Sequence, residues 1–398
     1  MESPATDQRG ARATVTATVP GPVDVVCLGE SMVTFLPTRQ GRLADVPSFV
    51  RGIGGAESNV ACGLAASGHS AKWVGRVGAD GFGEHLVAAI ASYGVDTSAV
   101  QRDPQRPTGI YFRTAGDRAA DAHEVLYYRA GSAASAMSRS TVRDEDVWSG
   151  RILHLSGITA ALSADCLALI RGLTTRRPGR ALVSFDVNYR VNLWREAGDP
   201  LVLLDLARGA DIVFVGEDEA EAAWGLRGAP AVRAALPEPE VLIVKQGAQG
   251  ATAYVRDAEP VPSPPLPEPG AATPNPRASN AGEAAFPARP APAPRRGPAP
   301  DTVTHAPAPR VDVVAHVGAG DAFAAGFLSA TLRGLSAHHR LRHGHLMAAA
   351  TLTADADLAM PPTRAYADRL VALDARGWET LHLGPGWTAA VDEEVPTP

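Results

Sequence analysis

Apolar and β-branched runs of four to six residues recur along this chain. Between them lie stretches in which the apolar side chains return every three or four positions. Residues 23–28 (VDVVCL) read as a strand ended by Gly29, and 32–36 continues as a short extended piece. Residues 58–67 read as a helix, with Val60 and Leu64 one turn apart and Gly68 as its stop. A strand at 72–74 follows. Residues 82–93 then place Leu86, Ile90 and Tyr93 on one helical face ahead of Gly94. Residues 110–113 and 125–129 carry the β-branched and aromatic content of strands.

From residue 151 the alternation is regular. Strands are predicted at 152–155, 182–185, 212–215 and 241–244, with helices at 164–173, 201–207 and 217–224. Strands alternating with helices of this length imply parallel βαβ units. The fold class is therefore α/β, a doubly wound, mostly parallel sheet covered on both faces. Near the end, Val311, Val313 and Val314 mark a short strand, Gly318-Ala319-Gly320 a tight turn, and 322–332 a helix with Phe323 and Phe327 on one face. Helices at 341–352 and 364–373 close the pattern.

Residues 258–309 break it. They hold 16 of the 33 prolines and almost no large apolar side chains, so they cannot bury enough surface to offset their ordering entropy. We expect a disordered Pro/Ala-rich insert there, a disordered tail over 1–20, one domain over 21–375, and a frayed tail over 385–398. The net charge of −6 gives no basic field for nucleic acid or anionic membrane. No stretch approaches the roughly 18 apolar residues of a membrane span. Cys27, Cys62 and Cys166 are odd in number and far apart, which reads as buried thiols in a cytoplasmic protein. Positive charge is almost all arginine: Lys72 and Lys245 are the only lysines.

The chemistry-bearing stretch is 311–326, VDVVAHVGAGDAFAAG. A glycine turn at a helix start gathers several N–H groups at the positive end of the helix dipole, a setting for phosphate. Asp321 in that first turn is either an ordinary capping carboxylate or a general base beside an anion hole. Further glycine clusters occur in RGIGGAESN (51–59) and GRVGADGFG (75–83). Neither has the dinucleotide spacing, no P-loop occurs anywhere, and each alone reads as loop punctuation. A zinc site among His338, His339, His343 and His345 is not expected, since no carboxylate or thiol stands at ligand spacing.

In combination these stretches are specific. GGAESN, VGRVGADGFGEHL, FDVNYR and VGAGDAFAAGF, in this order, resemble the PfkB (ribokinase-like) family of sugar kinases. The resemblance covers most of 23–373 outside the insert. LYYRAGSAASAM, LHLSGITAALS and DVNYRVNLW look most like the 2-keto-3-deoxygluconate kinases of that family. The resemblance implies one α/β domain with a small β-sheet lid, here 32–51 plus 110–129. It implies ATP and Mg²⁺, a small sugar or sugar acid as substrate, and a dimer or larger assembly through the lid.

It also implies roles for residues. Asp321 would deprotonate a substrate hydroxyl while the turn Gly318, Ala319 and Gly320 holds the transferring phosphoryl. Gly54, Gly55, Asn59, Tyr111, Tyr127, Arg129 and Arg190 would line the sugar pocket. Thr34 stands where family members acting on neutral sugars often carry an Asp. Two guanidinium groups in place of that acid suit a sugar carboxylate, which arginine grips bidentately; the alternative is that both make structural ion pairs. Lys245, Gly247, Gly250 and His345 would border the nucleotide, and Glu219 would organise Mg²⁺ through water, with Gly216 in place of the usual Asn. Ala315-His316 replaces the family's Asp-Thr or Asp-Pro, which counts against monovalent-cation activation. The alternatives are a fructokinase or other ketose kinase, and a sugar-acid sensor that keeps the fold without efficient turnover.

Overall fold

The computed structural model describes residues 23–39, 41–114, 124–256 and 300–389. Eight strands form the central sheet in the spatial order Asp301–Ala306, Ala251–Arg256, Val241–Lys245, Ile212–Gly216, Leu182–Asp186, Gly150–Ser156, Val23–Leu28, Ala71–Val74. The six from Val241–Lys245 to Ala71–Val74 are parallel, and the remaining two are antiparallel. The α/β expectation holds, with that antiparallel edge as an addition.

The strands show why both faces are covered. Val26, Leu28, Leu153, Leu155, Val213, Val215, Leu242 and Val244 point into one core with Leu169, Leu173, Leu203 and Leu206. Their neighbours Val25, Cys27, Ile152, Ile212, Phe214 and Ile243 point into the other, with Val60, Leu86, Phe323 and Phe327. A period of two with apolar residues on both sides is the signature of a parallel sheet between helical layers. Ala164–Thr174 and Val202–Gly209 supply one layer; Ala56–Ala66, Gly81–Ser92, Ala319–Leu332 and Ala337–Leu352 supply the other. Winding reverses between Val23–Leu28 and Gly150–Ser156, and at such a switch point the strands' carboxyl ends leave a crevice.

The lid is a separate four-stranded sheet in the order Phe49–Gly54, Met32–Pro37, Ile110–Arg113, Val125–Tyr128. On one side Phe35 stacks on Phe112 at 4.8 Å, and Phe49 and Phe82 close edge-on around them. The opposite row in register is Gly52, Thr34, Tyr111 and Tyr127.

Three expectations are corrected. The insert ends earlier than 309, because Asp301–Ala306 pairs along its whole length with Ala251–Arg256. Its Thr302, Val303 and Thr304 have the β-branched content the preceding prolines lack, and Arg233 holds Asp301 by two bonds of 2.7 Å. The strand expected over 311–314 shrinks to Arg310–Val311, paired with His382–Leu383. Beyond it Val314 and Ala315 both donate to the Leu352 carbonyl at a helix end, which removes them from any ladder. Past 385 the chain forms a short turn, Trp387–Ala389, in which Trp387 meets Tyr366. The expected tails (1–20 and the residues after 389) and the insert over 258–299 lie outside the described residues.

Candidate active site

Helix Ala319–Leu332 begins at Gly318, whose φ of +82° is left-handed. A Cβ there would stand 2.2 Å from the Asp357 carbonyl oxygen, so conformation and space both require glycine. No side chain caps this helix. Its first helical bond runs from Ala322 N–H to the Gly318 carbonyl at 2.9 Å, leaving the N–H groups of Ala319, Gly320 and Asp321 without a helical acceptor. These three N–H groups lie in the first turn of the helix, at the positive end of its dipole.

Asp321 does not cap that helix. Its Oδ2 accepts from Asn59 Nδ2 at 2.8 Å and its Oδ1 from Asn188 Nδ2 at 3.5 Å. Asn59 lies in helix Ala56–Ala66, behind Gly54 and Gly55. A Cβ on Gly55 would meet the Glu30 carbonyl at 2.4 Å, which lets the helix start sit against the first strand's end. Asn188, in FDVNYR, has φ +41°, and is the single non-glycine residue with positive φ among those described. That strain turns its amide toward Asp321. Burial among these groups pushes the Asp321 carboxyl up to about 7; the Asn59 bond opposes the shift and Asp186 adds to it.

Lys245 is not a surface lysine. Its Nζ donates to both Asp186 oxygens, at 3.0 and 3.2 Å, and lies 3.5 Å from where a Gly320 Cβ would be. Burial alone would lower its pKa, but Asp186, Glu219 and Asp321 together raise it, so the ammonium is held charged. Glu219 accepts from the Gly216 N–H at 2.8 Å and pairs with Arg190 at 3.3 Å. Burial raises its carboxyl and Lys245 opposes this. Gly216, which stands in place of the family's Asn, thus offers Glu219 a backbone donor and no side-chain amide.

On the lid side, Gly54 lies under Tyr111: a Cβ would meet the phenol oxygen at 2.2 Å. Tyr111 bonds to Asp357, which Arg113 also holds at 2.6 Å. Burial and the Asp357 charge raise the Tyr111 phenol well above its ordinary value. Tyr127 is exposed, with its ring 5.5 Å from that of Tyr111. Arg129 lies over the Tyr127 ring and pairs with buried Glu30, which also accepts from Ser132 at 2.8 Å. The Arg129 Nε is buried without a partner. Both arginines therefore make the ion pairs that the sequence left open as an alternative to substrate contact.

The remaining nucleotide-side residues differ among themselves. Gly247 has φ +57° and open space around it, whereas a Cβ on Gly250 would meet the Ala306 carbonyl at 2.2 Å. Gly250 therefore serves the packing of the antiparallel edge. His345 is the correction here. It is 6% exposed, contacts the Ala306 carbonyl at 3.0 Å and packs edge-on against Phe323. Burial lowers its pKa to about 4. That places a neutral imidazole in the core, not in an open nucleotide pocket. Sequence reasoning missed Glu30, Asp186, Asn188 and Asp357; for Asp186 and Asn188 the FDVNYR motif was the available signal.

Residues 23–268 and 299–364 match the pfkB family carbohydrate kinase profile. The chain belongs to that family. This carbohydrate kinase is 30% identical over 351 residues to the 2-dehydro-3-deoxygluconokinase of Bacillus subtilis (strain 168), covering 86% of this chain and 93% of the relative. It is 32% identical over 238 residues to fructokinase-1 of Oryza sativa subsp. japonica, covering 58% of this chain and 73% of the relative. Its fold matches the crystal structure of a PfkB protein from Polaromonas sp. JS666 at 30% identity and a TM-score of 0.66, over 87% of this chain and 99% of the other. Among the described residues of this sugar kinase, no helix is long and apolar enough to cross a membrane.

Proposed function

We propose that this kinase transfers the γ-phosphoryl of ATP to the terminal hydroxyl of 2-keto-3-deoxygluconate, with Asp321 as general base. The observation that carries the reading is the Asp321 carboxylate, bonded to two side-chain amides and to none of its own helix's N–H groups. A carboxyl raised to about 7 is ionised enough at neutral pH to accept a proton and basic enough to take one. The substrate oxygen attacks the γ-phosphorus as its proton passes to Asp321, and ADP leaves with the electrons of the broken P–O bond. Amides of Ala319, Gly320 and Asp321 stabilise the charge on the phosphoryl oxygens in transit.

Mg²⁺ fits this donor set through water. Glu219 already has one oxygen on Gly216 and the other on Arg190, and no cluster of three or more ligating side chains exists among the described residues. Mg²⁺ commonly keeps several waters and binds through a carboxylate and substrate phosphates, where it neutralises their charge. Lys245 and Gly247 border the nucleotide in this reading.

For the acceptor, Gly54, Gly55, Asn59, Tyr111, Tyr127, Arg129 and Arg190 form the pocket. Support for an acid sugar comes from Thr34 in the lid row facing Tyr111, from the orphaned Arg129 Nε, and from the similarity to the Bacillus subtilis relative. A fructokinase is the second reading, favoured by one observation: buried Glu30 already neutralises Arg129. A coupled ADP-release assay with the keto-acid and with fructose separates them. The acid reading expects preference for the keto-acid, lost in Arg129→Ala; a fructose preference untouched by that substitution refutes it. Equal background rates for wild type and Asp321→Asn would instead favour a sensor. Assembly through the lid belongs to the same proposal, because Val125–Tyr128 exposes all four residues at the sheet's edge. Sedimentation that finds only monomer would remove it.

A further inference from the structure

Lys245 is one of two lysines in a chain that otherwise uses arginine for positive charge. The other, Lys72, pairs with Asp96 and Asp146. Lys245 ends a central strand, and its backbone pairs with Gly216 on one side and Ala251 on the other, so its Cα is fixed. Asp186, two strands away, takes two ammonium hydrogens, one on each carboxylate oxygen. An ammonium has three donors, and the third has no protein acceptor among the described residues. The Nζ atom lies beside the first turn of helix Ala319–Leu332, 3.5 Å from the position of a Gly320 Cβ, the turn whose first N–H groups have no helical acceptor. A Cβ at residue 320 would lie in ordinary van der Waals contact with the ammonium, so the two groups are immediate neighbours.

We infer that Lys245 is a catalytic residue, its ammonium contacting the oxygens of the phosphoryl group in transfer, and that Asp186 is the positioning residue that aims it. The inference rests on the kinase reading above and adds a specific role at the reacting phosphorus. A compact point charge suits this place, since it can follow the phosphoryl from ATP to acceptor. Substrate hydroxyl, γ-phosphorus and leaving ADP oxygen exchange bonds as described. Lys245 keeps its proton throughout and supplies charge only.

The test compares two nucleotides in the presence of Mg²⁺. Calorimetry measures ADP and the non-hydrolysable ATP analogue AMP-PNP binding to wild type, Lys245→Met and Lys245→Arg. ADP affinity should stay within about twofold while AMP-PNP affinity falls about tenfold or more in Lys245→Met. With the sugar that wild type uses, kcat should fall about 100-fold, the scale of losing one transition-state donor. Lys245→Arg should recover part of both. Equal weakening of the two nucleotides, or kcat within about threefold of wild type, overturns the inference. Should Lys245→Met fail to fold, the Asp186→Asn/Lys245→Met variant, which removes both charges together, is read by the same criteria. If no sugar gives turnover with wild type, the kinase reading fails; the AMP-PNP to ADP ratio still tests the contact.

Discussion

Asn59 donates to Asp321 Oδ2 at 2.8 Å, tying the first turn of helix Ala56–Ala66 to the first turn of helix Ala319–Leu332. The two residues stand 262 positions apart. The bond orients the carboxylate and holds back part of the pKa rise that burial imposes.

Asp321→Asn should lower kcat by about 10²- to 10⁴-fold, the usual share of a general base, with little change in KM. The wild-type kcat/KM should rise with pH through about 7 as Asp321 ionises. The stability sign is opposite. The folded pKa lies above the unfolded value of 3.8, so the folded state binds the extra proton between them and loses stability as pH rises to about 7. Asp321→Asn should therefore melt higher than wild type at pH 8, measured by calorimetry. A lower melting temperature there would refute the burial argument.

Glu57 offers a second titration away from the reacting atoms. It is fully buried, with Oε1 accepting from Ser156 and Thr159 and Oε2 unpartnered. Burial raises its carboxyl to about 7. The stability it contributes is present below about 4.5 and is lost as pH rises to about 7. Denaturant unfolding of Glu57→Gln between about pH 5 and about pH 8 should show a flatter dependence than wild type. An unchanged slope would mean that Glu57 does not take up this proton.

Asp357 joins the lid to the glycine turn: its side chain holds Tyr111 and Arg113, and its carbonyl fills the space beside Gly318. Asp357→Ala strands the buried Arg113 charge and should cost about 3–5 kcal/mol, read by urea unfolding. Tyr111→Phe leaves the Arg113–Asp357 pair intact and removes one donor from the buried carboxylate, so it should cost less, about 1–3 kcal/mol. Comparable losses in the two variants would show that the phenol, not the ion pair, carries the link.

The insert can be replaced if its ends are chosen from the sheet. Arg256 and Asp301 are register partners in an antiparallel pair, a geometry that a two-residue hairpin turn closes. Substituting Asn-Gly for residues 257–300 should leave the melting temperature and most activity unchanged. Deletion from 260 through 305 should fail, because it removes the edge strand and the Asp301 bonds to Arg233. A large destabilisation with the Asn-Gly turn would show that the replaced segment packs against the domain.

Helix Glu217–Trp224 and strand Ile110–Arg113 stand where the pattern of side chains put them, and most of the other predicted elements differ only at their ends. Periodicity reports local burial, and for these elements local burial is the whole requirement. Strands such as Phe49–Gly54 and Ala251–Arg256 were not predicted. Arg310–Val311 is shorter than its valines imply, since a strand forms only where a neighbouring edge offers donors and acceptors. Asp301–Ala306 was hidden among prolines for the converse reason: an edge beside Ala251–Arg256 was waiting for it.

What the sequence by itself determined is the alternation of strand and helix, the family, and the glycine turn with its aspartate, because each is written in neighbouring residues. What the tertiary structure decided is which distant groups meet that aspartate. Asn59, the strand end carrying Asp186 and Asn188, and Lys245 come from three separate segments of the chain, and Asp357 reaches the lid across 246 positions. Their encounter depends on strand order and on backbone angles such as that of Asn188, and no short window of residues encodes either. Electrostatics follows the same division: a carboxyl reaches about 7 only after the fold has taken water away from it.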